Sequence, residues 1–309
     1  MIKKWHLKAI VQKALSILPA PEKANFWFQK NVTKGVDLTD EHLGYKVGHA
    51  KDHIAYFEKY GKPSPESKIL ELGTGWYPIV PTLIYLTNSG KVLSIDIQNW
   101  LTKEGMLTTI ERLKEWKANG MLEKNFGKVD EDKWRKLEVI LKDHEHYTLE
   151  QIKEVIGLDN KIIDARKTGI ASESFDFICS NNTFEHIYPD ILIAIISEFQ
   201  RVLKTGGVMS HFIDMTDHFA HFDTSITVYN FLQYSKRKWS LIDNSIQPQN
   251  RLRYRDYLEI YQSLVIQIVE EEIWPKDLEA LRRVNIHKEF QDYTDDELSI
   301  KHAYIISQK

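Results

Sequence analysis

The sequence predicts an α/β protein built on a doubly wound, mostly parallel sheet with helices on both faces. Three observations carry that expectation. From about residue 66 onward, short apolar runs alternate with segments of helical periodicity, the pattern of strand–helix–strand units. The first run, Lys68-Ile-Leu-Glu-Leu72, stops abruptly in Gly73-Thr-Gly75, and open α/β sheets bind nucleotide-like ligands just outside such strand ends. Near the end, Val265–Val269 and Ala303–Ser307 bracket a helical and loop segment, as a closing antiparallel pair at one edge does.

Composition narrows the class. Hydrophobic residues make up 42% and charged residues 28% of the chain, which suits a soluble globular protein. The net charge of −3 argues against a dedicated nucleic-acid binder, whose footprint is strongly basic. A single cysteine, Cys179, excludes an internal disulfide and fits a reducing, cytoplasmic setting. No apolar run reaches the roughly 20 residues of a membrane span.

Residues 1–62 read as an N-terminal helical cap without strands or glycine-rich turns. Lys3, Lys4, Lys8 and Lys13 mix with Trp5, Leu7, Val11, Ala14 and Leu18 at helical spacing, and Pro19-Ala-Pro21 ends that helix. The lysines interrupt any signal-peptide core. Packing on the domain is the expectation for this helix, with contact to an anionic membrane the alternative. Phe26, Phe28, Leu43, Tyr45, Ile54 and Phe57 continue the helical pattern to the break at Gly61-Lys-Pro63-Ser-Pro65.

In the first strand Ile69, Leu70 and Leu72 form a near-continuous apolar run, typical of a strand covered on both faces. Gly73 and Gly75 allow a sharp turn and leave no side chain between backbone and ligand. Ile79–Leu86 follows as a short helix entered past Pro78, with Pro81 in its first turn. Lys91–Asp96 is the second strand, so Asp96 lies at a neighbouring strand end, 25 positions after Glu71. Nucleotide folds place an acid there to accept hydrogen bonds from ribose hydroxyls.

Residues 98–158 read as a helical insertion. Met106, Ile110, Leu113 and Trp116 mark one helix, stopped at Asn119-Gly120, and Trp134, Leu137, Ile140 and Leu141 a second. Thr148-Leu-Glu-Gln151 opens a third with a capping box, closed by Gly157. The Asp143-His-Glu-His146 cluster between helices reads as a solvated loop. Lys161–Ala165 and Phe175–Ser180 are the next strands. Ile191, Ile195, Phe199 and Val202 mark a helix terminated at Lys204-Thr-Gly-Gly207, and Val208–Ile213 is the fifth strand.

Four landmarks thus occur in a fixed order: Glu71-Leu-Gly-Thr-Gly75, Asp96, Asp164-Ala165, and Phe175-Asp-Phe-Ile-Cys-Ser-Asn-Asn182 followed by Phe184-Glu-His-Ile187. Arg201-Val-Leu-Lys-Thr-Gly-Gly207 completes the set. Together they resemble the core of the class I methyltransferases that use S-adenosyl-L-methionine (SAM), over about residues 66–214 plus the final strand pair. The resemblance implies a Rossmann-like, seven-stranded sheet with an antiparallel edge strand. It also implies SAM as cofactor, held by Glu71, Gly73, Thr74, Gly75, Asp96, Ile97, Asp164, Ala165, Ser180 and Asn181. Gly73 and Gly75 would line the methionine and ribose part, Asp96 the ribose hydroxyls, and Asp164 and Ala165 the adenine. Ser180 and Asn181 would reach the methionine end, with Glu185-His186 supporting the site. A nicotinamide-binding fold is disfavoured, because its third glycine would fall where Pro78 stands.

The acceptor side is expected in residues 215–262. His211-Phe-Ile-Asp214 ends the fifth strand, and Asp217, His218, His221 and Asp223 follow closely. In this fold that strand end faces the transferable methyl. A hydroxyl acceptor needs a base, and histidine, with an ordinary pKa near 6.5, suits the role. His218 or His221 is therefore a candidate base, oriented by Asp214. A divalent ion held by these aspartates and histidines is the other reading. The spacings match no recognised zinc pattern, so no metal site is assigned. Arg251, Arg253 and Arg255 suit either an anionic acceptor group or surface ion pairs with Asp256 and Glu259.

The sequence therefore leads to the expectation of a methyltransferase acting on a small molecule, with oxygen as the target atom. A protein or RNA acceptor, or a non-catalytic SAM-binding or partner-regulating subunit, would share the cofactor site.

Overall fold

The structure, a computed structural model, describes residues 3–17 and 37–309. Seven strands form one sheet: β1 (Lys68–Leu72), β2 (Lys91–Asp96), β3 (Leu158–Ile162), β4 (Phe175–Asn181), β5 (Leu203–Asp214), β6 (Gln267–Lys276) and β7 (Ile300–Gln308). Their order is β3-β2-β1-β4-β5-β7-β6. β1 to β5 are mutually parallel, and β7 runs antiparallel between β5 and β6. The expected Rossmann-like, seven-stranded sheet is present. From β1 the chain winds outward through β2 and β3, then returns to place β4 on the other side of β1. That reversal opens a crevice at the carboxyl ends of β1 and β4.

The helices among the described residues are α1 (Lys4–Leu15), α2 (Asp40–Tyr60), α3 (Ile79–Leu86), α4 (Lys103–Ala118), α5 (Met121–Phe126), α6 (Glu131–Lys142), α7 (Leu149–Ile156), α8 (Pro189–Val202), α9 (Lys236–Ile242), α10 (Tyr254–Ser263), α11 (Leu278–Arg282) and α12 (Asp295–Ser299). Successive strand residues face opposite sides, and the core divides accordingly. Ile69, Val92, Phe177, Cys179, Val208 and Phe212 join one apolar cluster with Leu43, Val47 and Phe57 of α2, Leu83 of α3, Leu113 of α4 and Leu137 of α6. Leu70, Leu72, Ile95, Ile178, Met209 and Ile213 join another with Ile196 and Phe199 of α8 and Tyr257 and Tyr261 of α10.

Local signals place several of these helices. Thr148 and Gln151 cap one another at the start of α7, and Gly157 closes it in the left-handed region at φ 65°. Thr39 accepts from the His42 amide to open α2, whose first turn carries Asp40 and Glu41.

The two described helices of the 1–62 stretch sit in different places. α2 is a layer of the main core, covering β4 and β5. α1 instead joins a third cluster, where Trp5 and Ala9 meet Phe219, Phe231, Trp239 and Phe290. On α1, Leu7 and Ile10 are exposed, so its buried side is Trp5, Ala9 and Gln12 rather than the full set read from periodicity. Leu18, Pro19, Pro21, Phe26 and Phe28 lie outside the described residues. Among the described residues, no helix is long and apolar enough to cross a membrane.

Two boundaries differ from expectation. β3 is Leu158–Ile162 rather than Lys161–Ala165, because pairing with β2 ends at Asp96 opposite Ile162 and the chain then turns at Asp164. β5 starts at Leu203, since Leu203 already pairs with Phe175, and the expected stop at Lys204–Gly207 is an irregular stretch of strand with Gly206 at φ 78°.

Candidate active site

The glycine turn is fixed from beneath by side chains. Ser94 Oγ donates to Glu71 Oε2 at 2.8 Å, and Thr74 Oγ1 lies 2.7 Å from Ser94 Oγ. All three residues are buried. Gly73 has φ 90°, and a Cβ there would lie 2.6 Å from Thr183 Oγ1, so both conformation and space require glycine. Gly75 has φ 61°, and a Cβ there would meet nothing within 4 Å. The backbone at Gly75 therefore borders open space at the crevice.

Asp96 stands at the end of β2, beside this turn. Burial pushes its carboxyl up, while backbone amides of Gln98, Gly75, Ile97 and Thr74 oppose the shift. The Gln98 amide donates to Asp96 Oδ1 at 3.1 Å. Ile97 projects 73% exposed, an apolar surface of the kind a purine covers. On the far side, Ala165 is buried, and Asp164 is held below the usual carboxylate range by Arg166, whose Nε donates to Oδ2 at 2.9 Å. An open backbone cradle, a carboxylate at the second strand end and an exposed apolar side chain together fit the diol and purine of SAM.

The end of β4 divides its two expected contacts. Ser180 faces the α8 side, where its hydroxyl meets His211 Nδ1 at 2.7 Å. Asn181, one residue on, faces the α2 side, with Oδ1 2.9 Å from His53 Nε2. The period-2 alternation of the strand makes this split unavoidable. His211 is likewise interior: it stacks on Phe184 at 4.3 Å, and burial lowers its pKa to about 3.

At the end of β5 the structure gathers a carboxylate and three imidazoles. Asp214 Oδ2 lies 3.6 Å from His218 Nε2 and 4.0 Å from His221 Nε2, and its Oδ1 lies 3.4 Å from His302 Nε2. The Thr216 amide donates to Oδ1 at 2.8 Å. Burial pushes Asp214 up, but His218 and His302 outweigh it and hold the carboxyl well below its ordinary value. Glu185, buried nearby, goes the other way, raised well above its ordinary value by burial and by the Asp214 charge. Asp214, His218 and His221 are thus brought together as the sequence suggested. Asp217 and Asp223 are not part of the group. Asp217 accepts from Asn230 Nδ2 at 2.9 Å, and Asp223 accepts from the Trp5 amide at 3.0 Å, tying α1 to this segment.

The arginines are internal struts rather than ligands for an anion. Arg253 is fully buried, donating to the carbonyls of Met215, Leu298 and Ile300. Arg251 donates to the Phe231 and Tyr234 carbonyls. Arg255 makes the expected surface pair, 3.6 Å from Glu259. His144 and His146 are exposed, as expected of a solvated loop.

Sequence reading missed the contribution of α2. Lys46, His49 and His53 share one face of that helix and point toward the strand ends. Glu71 and Lys46 influence each other's ionisation, and burial lowers the Lys46 ammonium. His49 Nδ1 lies 2.5 Å from Tyr304 Oη. The available signal was polar residues at i, i+3 and i+7 running beside the apolar stripe Leu43, Val47, Ala50 and Ile54. His302 was also missed. Because β7 is antiparallel to β5, its first residues lie beside the last residues of β5, and His302 pairs with Asp214.

Residues 131–210 match a family model described as "Methyltransferase domain", about a quarter of the chain, covering α6 to most of β5. No curated protein matches the sequence. Among solved structures, the chain is similar to the geranyl diphosphate C-methyltransferase of Streptomyces coelicolor A3(2), crystallised with Mg2+, geranyl diphosphate and S-adenosyl-L-homocysteine. Identity is 12%, with 86% of this chain and 78% of that one covered and a TM-score of 0.47. It is also similar to phosphoethanolamine N-methyltransferase 2 of Haemonchus contortus, crystallised with SAM. There the identity is 12%, the coverage 91% and 59%, and the TM-score 0.44. The sheet, wound in this order and turned at Gly73 and Gly75, thus carries a match to the methyltransferase-domain model across its middle, in line with the resemblance to class I SAM-dependent methyltransferases.

Proposed function

We propose that the protein methylates a small-molecule acceptor at oxygen, with Asp214 orienting an imidazole that takes the acceptor's proton. SAM supplies a methyl carbon already activated by its positive sulfur. What the chain must add is position, and well-held reactants gain effective molarities of roughly 10⁵ M or more. Gly73, Gly75, Asp96, Ile97, Asp164, Ala165 and Asn181 are assigned to holding SAM. Lys46, the cation beside this crevice, is assigned to its carboxylate. Ser180 acts indirectly, through His211.

The single observation that carries the base assignment is the Asp214 carboxylate with His218, His221 and His302 around it at the end of β5. Of the two histidines foreseen, His221 has a side chain 62% exposed and His218 only 16%. An accessible imidazole can exchange its proton with solvent after each turnover. His221 is therefore assigned as the base, and His218 as a group that holds Asp214 ionised. The acceptor is assigned to the space between α1 and the 215–262 segment, where Lys8, Gln12, His218, Trp239 and Gln249 line a recess. In this reading residues 1–62 cap a methyltransferase domain spanning 63–309, within which 98–158 is a helical insertion and 215–262 the acceptor-side segment, and the location is cytoplasmic.

The test is S-adenosyl-L-homocysteine release with a panel of hydroxylated and carboxylated metabolites. His221→Ala and Asp214→Asn should each lower turnover about 10²- to 10⁴-fold at unchanged SAM affinity. Unchanged turnover in both removes the base. Release only with protein or RNA substrates, or no release despite SAM binding, removes the small-molecule reading.

A further inference from the structure

We propose that Glu185, His186 and His218 form a binding site for one divalent first-row transition-metal ion. Glu185 is the point of departure. It is 2% exposed, neither carboxylate oxygen meets a partner at full hydrogen-bond geometry, and the weaker contacts from Asn182 and nearby backbone do not offset its burial. A buried carboxyl left this way costs about 1–3 kcal/mol or more, whether charged or neutral. A bound cation removes that cost.

The neighbours of Glu185 are the groups such an ion needs. One ligand atom from each of Glu185, His186 and His218 lies within 4.8 Å of the others, and this is the one such group among the described residues. The two imidazole rings sit 4.9 Å apart at 68°. Ligands about 2.1 Å from a tetrahedral ion lie about 3.4 Å apart, so each pair of these donors draws together by at most about 1.4 Å to close the set.

The surroundings prepare these side chains for ligation. His186 Nδ1 lies 2.7 Å from the Pro248 carbonyl oxygen, which can only accept. The ring hydrogen is therefore on Nδ1, and Nε2 presents its lone pair, the arrangement that outer hydrogen bonds impose on metal-bound histidine. The turn carrying Glu185 and His186 is clamped from outside. Asn250 Nδ2 donates to the carbonyls of Phe184 and Ile187, each at 2.8 Å, and the Asn250 amide donates to that of Glu185 at 2.9 Å. Asp214, 3.6 Å from His218, adds a second negative charge nearby.

One carboxylate with two imidazoles favours Zn2+, Mn2+, Fe2+ or Co2+ over Ca2+ and Mg2+, which prefer all-oxygen sites. Three protein ligands leave coordination positions open. If the methyl-transfer reading holds, those positions face the acceptor and would take its oxygen, polarising it for loss of the proton to His221. The metal site itself does not rest on that reading.

The experiment is calorimetric titration of chelator-stripped full-length protein with Zn2+ and with Mn2+, without SAM or acceptor, alongside the visible spectrum with Co2+. The expected result is one ion per chain. Glu185→Gln, His186→Ala and His218→Ala should each weaken binding at least 10-fold, while a His144→Ala/His146→Ala control leaves it unchanged. SAM affinity and circular dichroism establish that each variant is folded. No stoichiometric ion in the wild type, or undiminished affinity in folded Glu185→Gln and His186→Ala, overturns the proposal. Ion binding without methyl release would leave the site standing and remove the catalytic reading instead.

Discussion

His53 of α2 ties two strands to one helix: its Nε2 lies 2.9 Å from Asn181 Oδ1 and its Nδ1 2.7 Å from Ser210 Oγ. An amide oxygen only accepts, so Nε2 carries the ring hydrogen and the Ser210 hydroxyl donates to Nδ1. Burial lowers the His53 pKa to about 4, because a charged ring there loses its hydration while the Ser210 hydroxyl can turn to accept from Nδ1. Below its ordinary pKa near 6.5 the unfolded chain binds a proton that the folded chain resists. The neutral ring's contribution is thus full above pH 6.5 and lost as pH falls toward 4, a span of about 3 kcal/mol. His53→Gln should flatten this part of the stability profile, seen as a smaller shift of urea midpoints between pH 7 and pH 4. An unchanged shift contradicts the assignment.

Glu71 titrates with the opposite sign. Burial pushes it up to about 7, with the Ser94 hydroxyl and Lys46 opposing. Its folded pKa exceeds its ordinary value near 4.5, so stability from the protonated form is complete below 4.5 and lost as pH rises through 7. Glu71→Gln keeps an acceptor for Ser94 and cannot ionise. Without SAM, the variant should gain about 3 kcal/mol relative to wild type between pH 4.5 and pH 8. Paired denaturation curves at those two pH values test this, and a constant difference removes it.

Arg253 joins the acceptor side to the sheet edge. Its guanidinium holds the carbonyl following Asp214 in sequence, that of Met215, together with those of Leu298 and Ile300 at the start of β7. Arg253→Met fills similar space but leaves three buried carbonyls without donors. A loss of about 3 kcal/mol or more is expected. Because Asp214 and His302 are positioned by the two segments it links, turnover should also fall in whatever fraction remains folded. A folded variant with full stability contradicts the strut.

Much of this was legible in the sequence because each signal was local. The run Ile69–Leu72, the turn at Gly73–Gly75 and the capping box at Thr148–Gln151 each depend on residues a few positions apart. What escaped depended on pairing between distant segments. His302 reaches Asp214 only because β7 runs antiparallel to β5, and Lys46 reaches Glu71 only because α2 covers the sheet. Ser180 and Asn181 part for a simpler reason: adjacent residues on a strand face opposite ways, so Ser180 meets His211 and Asn181 meets His53. The arginines at 251, 253 and 255 looked like a surface set, yet two of them are buried against backbone carbonyls, an arrangement no spacing reveals.

The most direct test of the central claim is calorimetric titration of SAM into the purified protein. The account predicts one SAM bound per chain, an affinity lowered about 10- to 100-fold by Asp96→Ala, and binding abolished by Gly73→Val, whose side chain would meet Thr183 at the turn. Absence of SAM binding by the folded wild type, with a nicotinamide dinucleotide bound in its place, would contradict it.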